Sequence, residues 1–149
     1  MHDKHPKHHR ASIYEAEIMS WSRRAGEGES VKGYTHCATL SNPLCGDRVT
    51  VHIRVDDGVV VSCGCQVRGC MLCKAASVHM ATLIDGVHSN RLEEMTDTFK
   101  NALTGITGFP ETHTMFAKVR HHKSRHSCVL LPYEAALIAL SGVTESEST

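Results

Sequence analysis

Three short cysteine-bearing segments lie far apart in this 149-residue chain, and their residue types could together hold a metal. Each places a thiol in or beside a predicted loop, and the first adds a carboxylate two residues after its cysteine. Three thiolates and one carboxylate can fill the four-coordinate shell of a soft or borderline cation such as Zn²⁺, or the terminal positions of an iron–sulfur cluster. We therefore predict a shared surface site for a metal or a cluster. The segments are Asn42-Pro43-Leu44-Cys45-Gly46-Asp47, Arg68-Gly69-Cys70 and Arg125-His126-Ser127-Cys128.

The residues around each cysteine predict how its thiol is presented. Cys45 follows Asn-Pro and precedes glycine, so we expect it on a turn. Asp47, at the entrance to a strand, can coordinate a metal as a labile ligand or tune the neighbouring thiolates. Cys70 should begin a long helix, whose N-terminal partial positive charge lowers the pKa of a thiol. We expect Cys128 just before the last helix in the same way, with Arg125 adding positive charge that stabilises a thiolate or persulfide.

Composition excludes several other classes of function. Lys+Arg and Asp+Glu both number 16 and aromatic residues make up only 5%, so nothing favours a nucleic-acid partner. The sequence has no run of 18 apolar residues that could span a membrane. Seven cysteines, with no apolar export signal in the first ten residues, favour a reducing compartment. We therefore expect a cytoplasmic protein whose thiols serve chemistry or metal binding.

The elements that must position these cysteines form one predicted domain. Residues 1–11 are predicted to be a disordered His-rich tail, 12–142 a single domain, and 143–149 a disordered polar tail. A linker is expected at 26–30. Apolar spacing predicts helices over 13–21, 72–84, 91–103, 114–122 and 130–140, with Ser89 or Asn90 capping the third.

Strand patterns precede most of these helices. Residues 49–55 alternate cleanly, with their valines and isoleucine on one face, and Asp56-Asp57-Gly58 predicts a hairpin turn into a partner strand over 59–65. Residues 31–40 are weakly strand-like. A small, about three-stranded antiparallel sheet followed by helices predicts an α+β fold, with the helices packed on one face of the sheet.

The three segments resemble those of a known family. The NPLCGD sequence at 42–47 is similar to the N-P-x-C-G-D segment of the IscU/SufU/NifU N-terminal family of iron–sulfur assembly scaffolds. Gly69-Cys70, followed by a helix with Ala76-Ser77, resembles the second cysteine segment of that family. Residues 125–137 resemble its third cysteine and terminal helix. The resemblance covers about Ile13 to Ser141, and it implies a SufE/IscU-like fold.

The resemblance also implies a function, that of a non-enzymatic scaffold or sulfur acceptor. The long gap after Cys70 and the arginine at 125 are closest to the SufU branch, which implies a zinc site formed by Cys45, Asp47, Cys70 and Cys128. That branch further implies a zinc-dependent sulfurtransferase activity, in which Cys45 accepts persulfide sulfur from a cysteine desulfurase of the SufS, IscS or NifS type. Scaffold resemblance implies a transient [2Fe–2S] cluster on the three cysteines and downstream acceptor or carrier proteins. A monomer or weak dimer fits either reading.

Further potential ligands lie near the second and third segments. On a strand, Cys63 and Cys65 face the same side. Cys73 lies three residues after Cys70 and could share an ion with it, although packing is the alternative. These thiols could replace one expected ligand, and His126 is a further candidate in place of the histidine that IscU proteins carry directly before the third cysteine.

Two rival functions remain at this point. A structural zinc-binding interaction module would hold its metal tightly and unfold on losing it. A zinc hydrolase or deaminase would keep a water in the fourth position, but the sequence has neither H-E-x-x-H nor H-x-E with P-C-x-x-C.

Overall fold

The computed structural model describes residues 15–25 and 31–142. The predicted tails and the linker at 26–30 lie outside these ranges. The helices are α1 (Ala16–Ser22), α2 (Met71–Leu83), α3 (Leu92–Leu103) and α4 (His126–Leu140), and the strands are β1 (His36–Ser41), β2 (Arg48–Asp56) and β3 (Val59–Arg68). Within the described ranges, 3₁₀ segments span Ser89–Arg91, Glu111–His121 and Lys123–Arg125.

The strands form an antiparallel sheet in the order β1-β2-β3. The predicted hairpin is confirmed, because Asp57 and Gly58 alone connect β2 to β3. Both have positive φ, 55° and 81°, as a type I′ turn requires. The weak strand predicted over 31–40 is confirmed only for its second half, since β1 begins at His36.

The core lies between one face of the sheet and the helices. Val49, Val51 and Ile53 alternate along β2 and are fully buried, as their spacing predicts. Helices α2 and α4 pack against each other and against the sheet. The α+β prediction is therefore confirmed. No helix in the described part of the chain is long and apolar enough to cross a bilayer.

Several predicted boundaries were wrong. Helix α4 begins at His126, not at 130, because the polar pair His126-Ser127 gives no apolar periodicity for sequence reasoning to detect. The predicted caps Ser89 and Asn90 lie inside a 3₁₀ turn, so α3 begins after Arg91 without a side-chain cap. The helix predicted over 114–122 is a 3₁₀ segment, whose three-residue period resembles that of an α-helix over so short a stretch.

An aromatic cluster forms the part of the core between α2, α3, α4 and the long 3₁₀ segment. His113 shares a 2.7 Å hydrogen bond with the Tyr133 hydroxyl, and its ring centroid lies 4.5 Å from that of Phe99. Burial lowers the pKa of His113 to about 4 and raises that of Tyr133. The cluster consists of His79, Phe99, His113, Phe116 and Tyr133.

Candidate metal and cluster site

A tight turn between β1 and β2 presents the first thiol. The main-chain N–H of Asn42 donates to the carbonyl of Asp47 at 2.8 Å, and that of Gly46 donates to the carbonyl of Asn42 at 2.8 Å. The Asn42 side-chain oxygen accepts from the N–H of Leu44 at 3.0 Å, which is an Asx-turn bond. Gly46 has φ of 80°, a conformation that favours glycine. Cys45 is therefore exposed at the tip of a closed turn, as its neighbours predict.

The second thiol is held by the carboxylate of Asp47. Cys70 is the N-cap of α2, as predicted, and its sulfur accepts from the N–H of Cys73 at 3.4 Å. The Asp47 Oδ1 atom accepts from the Cys70 N–H at 3.1 Å, and the Cys70 Sγ atom lies 3.4 Å from Oδ2. Asp47 is only 3% exposed. Gly69 makes this approach sterically feasible, since a Cβ there would lie 2.6 Å from Oδ1.

The third thiol lies in the first turn of α4 and faces the first. The Cys128 Sγ atom is 3.9 Å from that of Cys45, although 83 residues separate the two in sequence. Ser127 and Asn42 join the same two segments, because the Asn42 Nδ2 group donates to the Ser127 hydroxyl at 2.7 Å. The hydrogen bond fixes the turn against the start of α4. Sequence reasoning missed this pair; the asparagine of the N-P-x-C segment was the available signal.

The expectation of a depressed Cys128 pKa was wrong. Burial raises the pKa of its thiol, and the nearby Cys70 and Asp47 raise it further because they disfavour a second negative charge. Cys128 is fully buried inside α4, whereas the prediction placed it just before the last helix. Without a cation to balance it, a thiolate at this position is therefore costly.

The donor set fits a tetrahedral thiophilic ion. The ligand atoms of Cys45, Asp47 and Cys128 lie within 4.8 Å of one another. Two thiolates bound at about 2.3 Å to one tetrahedral zinc lie about 3.8 Å apart, which matches the 3.9 Å between the two sulfurs. Cys70 adjoins this group through Asp47 and is the only predicted ligand outside it. We call these four residues the cysteine site.

The other potential ligands have different surroundings. Cys73 is fully buried in the hydrophobic core beneath Cys70. The Nε2 atom of His126 lies 3.1 Å from the carbonyl oxygens of Val119 and Arg120, so this nitrogen contacts the main chain. The candidate electrostatic helper Arg125 is half-buried and directly precedes α4.

A cavity of about 590 Å³ opens beside Cys45. Its apolar part includes Leu44 and Leu130, and its cationic part includes Lys123 and Arg125. Leu44 is 93% exposed, an unusual position for a large apolar side chain, and it lies next to the exposed Cys45 thiol. The arrangement leaves one side of the cysteine site open to an approaching molecule.

The comparisons with known proteins agree with this geometry. A family described as the NifU-like N terminal domain matches residues 14–139. The chain belongs to this family. IscU of Thermotoga maritima, an iron–sulfur cluster assembly scaffold protein, is 24% identical over 109 residues, covering 69% of this chain and 75% of that protein.

Two solved structures show the same fold. The N-terminal part of a NifU-like protein from Brucella abortus superposes with a TM-score of 0.80 at 27% identity, covering 94% of this chain and 99% of that one. A protein from Fervidobacterium islandicum described as a scaffold for the SUF system gives 0.78 at 26% identity, covering 87% and 98%. The chain is thus a member of the iron–sulfur cluster assembly scaffold family, and the predicted SufE/IscU-like fold is confirmed.

Proposed function

We propose that this protein either assembles iron–sulfur clusters or relays sulfur for their assembly. The ligands in this proposal are Cys45, Asp47, Cys70 and Cys128, and Cys45 is the sulfur acceptor. The approach of Cys45, Asp47 and Cys128 to within 4.8 Å of one another is the observation that carries this proposal. The ligand shell is mixed, three thiols and one carboxylate, and such a shell suits cargo that must leave again. When bound, Zn²⁺ would stabilise the thiolates until a partner or iron displaces it.

Cys45 is the best placed of the three thiols to receive sulfur. It is exposed on its turn, whereas Cys70 is half-buried and Cys128 is fully buried. In the transfer, the Cys45 thiolate attacks the terminal sulfur of a donor persulfide. A new S–S bond forms on Cys45 as the donor S–S bond breaks, and the donor cysteine leaves as a thiolate, which takes up the proton that the Cys45 thiol released on ionising. The net reaction needs no further oxidant or reductant.

The donor in this proposal is a cysteine desulfurase, and the recipients are iron–sulfur acceptor or carrier proteins. The open cavity beside Cys45 supports this, since its leucines and cations give a protein segment both apolar and ionic contacts. The long gap between the second and third cysteines supports the SufU form, in which zinc is the resident ion. The seven free cysteines support a reducing compartment, which we take to be the cytoplasm.

Elemental analysis and visible spectra of protein purified without oxygen test the proposal, before and after desulfurase, cysteine and ferrous iron are added. About one zinc per chain, with sulfur gained on Cys45 and no lasting chromophore, would support the SufU form. Equal iron and labile sulfide with a brown colour would support a cluster scaffold. Zinc that never exchanges, without sulfur uptake, would contradict both and leave the structural zinc module.

Matched variants sharpen the experiment. Cys45→Ser should abolish sulfur uptake, and Asp47→Ala should lower metal content. Cys37→Ser, which replaces a half-buried thiol on β1, should change neither. Removing the metal with a chelator should leave the protein folded, because most of the hydrophobic core, including the aromatic cluster, lies outside the site. A structural zinc ion would instead contribute on the order of 10 kcal/mol, so its removal would unfold the chain.

A further inference from the structure

A second pair of thiols lies on the outer strand β3, separate from the cysteine site. Cys63 and Cys65 occupy alternate positions, so their side chains leave the same face of the sheet. The neighbouring Cys63 thiol and burial raise the pKa of the Cys65 thiol, and the Cys65 Sγ atom lies 3.8 Å from the Ser77 carbonyl oxygen of α2. Cys63 is half-buried, and Cys65 is only 6% exposed. The pair therefore has one thiol within reach of solvent and one inside the protein.

Both thiols line a cavity of about 240 Å³ between β3 and α2. Val78 and Ala81 of α2 supply apolar wall, and Arg24 and Asp85 supply opposite charges. The Arg24 guanidinium lies 4.7 Å from the centroid of the Trp21 ring, which holds this cation beside the cavity. A small ion can therefore reach the two sulfurs without disrupting the core.

The geometry suits an ion bridge better than a disulfide. Alternate residues of a strand have Cα atoms about 6.7 Å apart, at the upper end of the range that a disulfide spans. A metal between the two sulfurs lengthens the bridge and removes this constraint. Among the described residues, the only cluster of three or more Cys, His, Asp or Glu ligands is the one at the cysteine site. The Cys63–Cys65 pair thus offers two thiolates without a third or fourth ligand for zinc.

We propose that Cys63 and Cys65 form a two-coordinate site for a soft monovalent cation, namely the cuprous ion. Thiolate ligands select Cu(I) over harder cations, and a two-ligand shell disfavours the four-coordinate zinc ion. Binding releases two protons, one from each thiol, and leaves a bis-thiolate complex with a net charge of −1. No electron is transferred. Arg24 is the cation at the same cavity that offsets this charge.

Anaerobic titration of the full chain with Cu(I), in competition with a chromophoric cuprous chelator, tests this site. The protein used carries Cys45→Ser, Cys70→Ser and Cys128→Ser, so the cysteine site cannot compete. We expect this triple variant to bind about one Cu(I) per chain through two sulfur ligands, seen by X-ray absorption. Adding Cys63→Ser should weaken binding by at least a hundredfold, since even outer ligand partners are worth ten- to a hundredfold.

The matched control adds Cys37→Ser, which leaves both proposed ligands in place and should retain full affinity. Cys65→Val keeps an apolar side chain in the core, and circular dichroism verifies that this variant folds. It should lose Cu(I) as Cys63→Ser does. Retention of affinity in Cys63→Ser, or an equal loss in Cys37→Ser, would overturn the proposal. Neither result bears on sulfur transfer, because the triple variant has no cysteine site.

Discussion

The cysteine site and the aromatic cluster share helix α4 but are built by opposite physical means. Cys128 lies in the first turn of α4, and Tyr133 lies in the second. Around Cys128, burial and the nearby thiols and carboxylate raise the pKa of the Cys128 thiol. Around Tyr133, the rings of the aromatic cluster pack at centroid distances of 4.5 to 6.3 Å, and the phenol hydroxyl hydrogen-bonds to His113.

This difference separates stability from function. The aromatic cluster contributes buried apolar area, which stabilises the fold whether or not a metal is present. The cysteine site concentrates groups that repel one another when ionised, and it needs a cation to relieve that repulsion. A scaffold that loads and unloads cargo benefits from such a division, because the aromatic cluster contains none of the proposed ligands.

Removing a central ring of the aromatic cluster should have the largest effect. Phe99 is fully buried and contacts His113, Phe116 and Tyr133. Phe99→Ala should lower the free energy of unfolding by about 3–5 kcal/mol in urea titrations. Ile106→Ala, at a side chain that is 73% exposed, should change it by less than about 0.5 kcal/mol. If the Phe99 variant instead lost zinc without losing stability, the two regions would not be separable.

Acid should destabilise the aromatic cluster next most strongly, through His113. Burial lowers the pKa of His113 in the folded protein to about 4, whereas its pKa in the unfolded chain is about 6.5. Between these two pH values the unfolded chain therefore binds a proton that the folded protein does not bind. The stability that this histidine contributes is therefore complete above about pH 6.5 and is lost as the pH falls toward 4. The loss should be on the order of 2–3 kcal/mol.

Urea titrations at several pH values between 4 and 7 measure this slope. His113→Gln keeps a hydrogen-bonding side chain next to Tyr133 but does not titrate, so its slope should be shallower than that of the wild type. Carboxyl groups contribute equally to both proteins and cancel in the difference. Equal slopes would mean that His113 does not control the acid response.

Local sequence patterns predicted the hairpin, the buried face of β2 and the turn around Cys45, because each depends on neighbouring residues. The spacing of Cys45 and Asp47 likewise marked a ligand pair. The contact between Asn42 and Ser127 could not be predicted in this way, because 85 residues separate its partners and only the packing of α4 on the sheet joins them. The same packing buries Cys128, which is why the expected direction of its pKa was wrong.

At the cysteine site, Gly69→Ala should have an intermediate effect. The new Cβ would come within 2.6 Å of the buried Asp47 carboxylate, which the Cys70 N–H holds in place. We expect zinc affinity to fall about ten- to a hundredfold in chelator competition, and stability to fall by about 1–3 kcal/mol. Gly108→Ala is the matched control, because a Cβ there meets nothing within 4 Å. Unchanged affinity in Gly69→Ala would argue against Asp47 as a ligand.

Ser127→Ala should have the smallest effect and still distinguish the two regions. The substitution leaves the Asn42 Nδ2 group without its serine partner in a residue that is 6% exposed, so stability should fall by about 1 kcal/mol. Because the hydrogen bond ties the Cys45 turn to α4, the loss should increase hydrogen exchange at 44–46 and weaken zinc binding, while exchange in the aromatic cluster stays unchanged. Ser124→Ala, at an exposed serine three residues earlier, should have neither effect.

A double-mutant cycle that combines Ser127→Ala with Asn42→Ala isolates the contact, with a coupling energy of about 1 kcal/mol expected. Strict additivity would instead mean that the turn is positioned by its own main-chain hydrogen bonds, and that α4 contributes only Cys128.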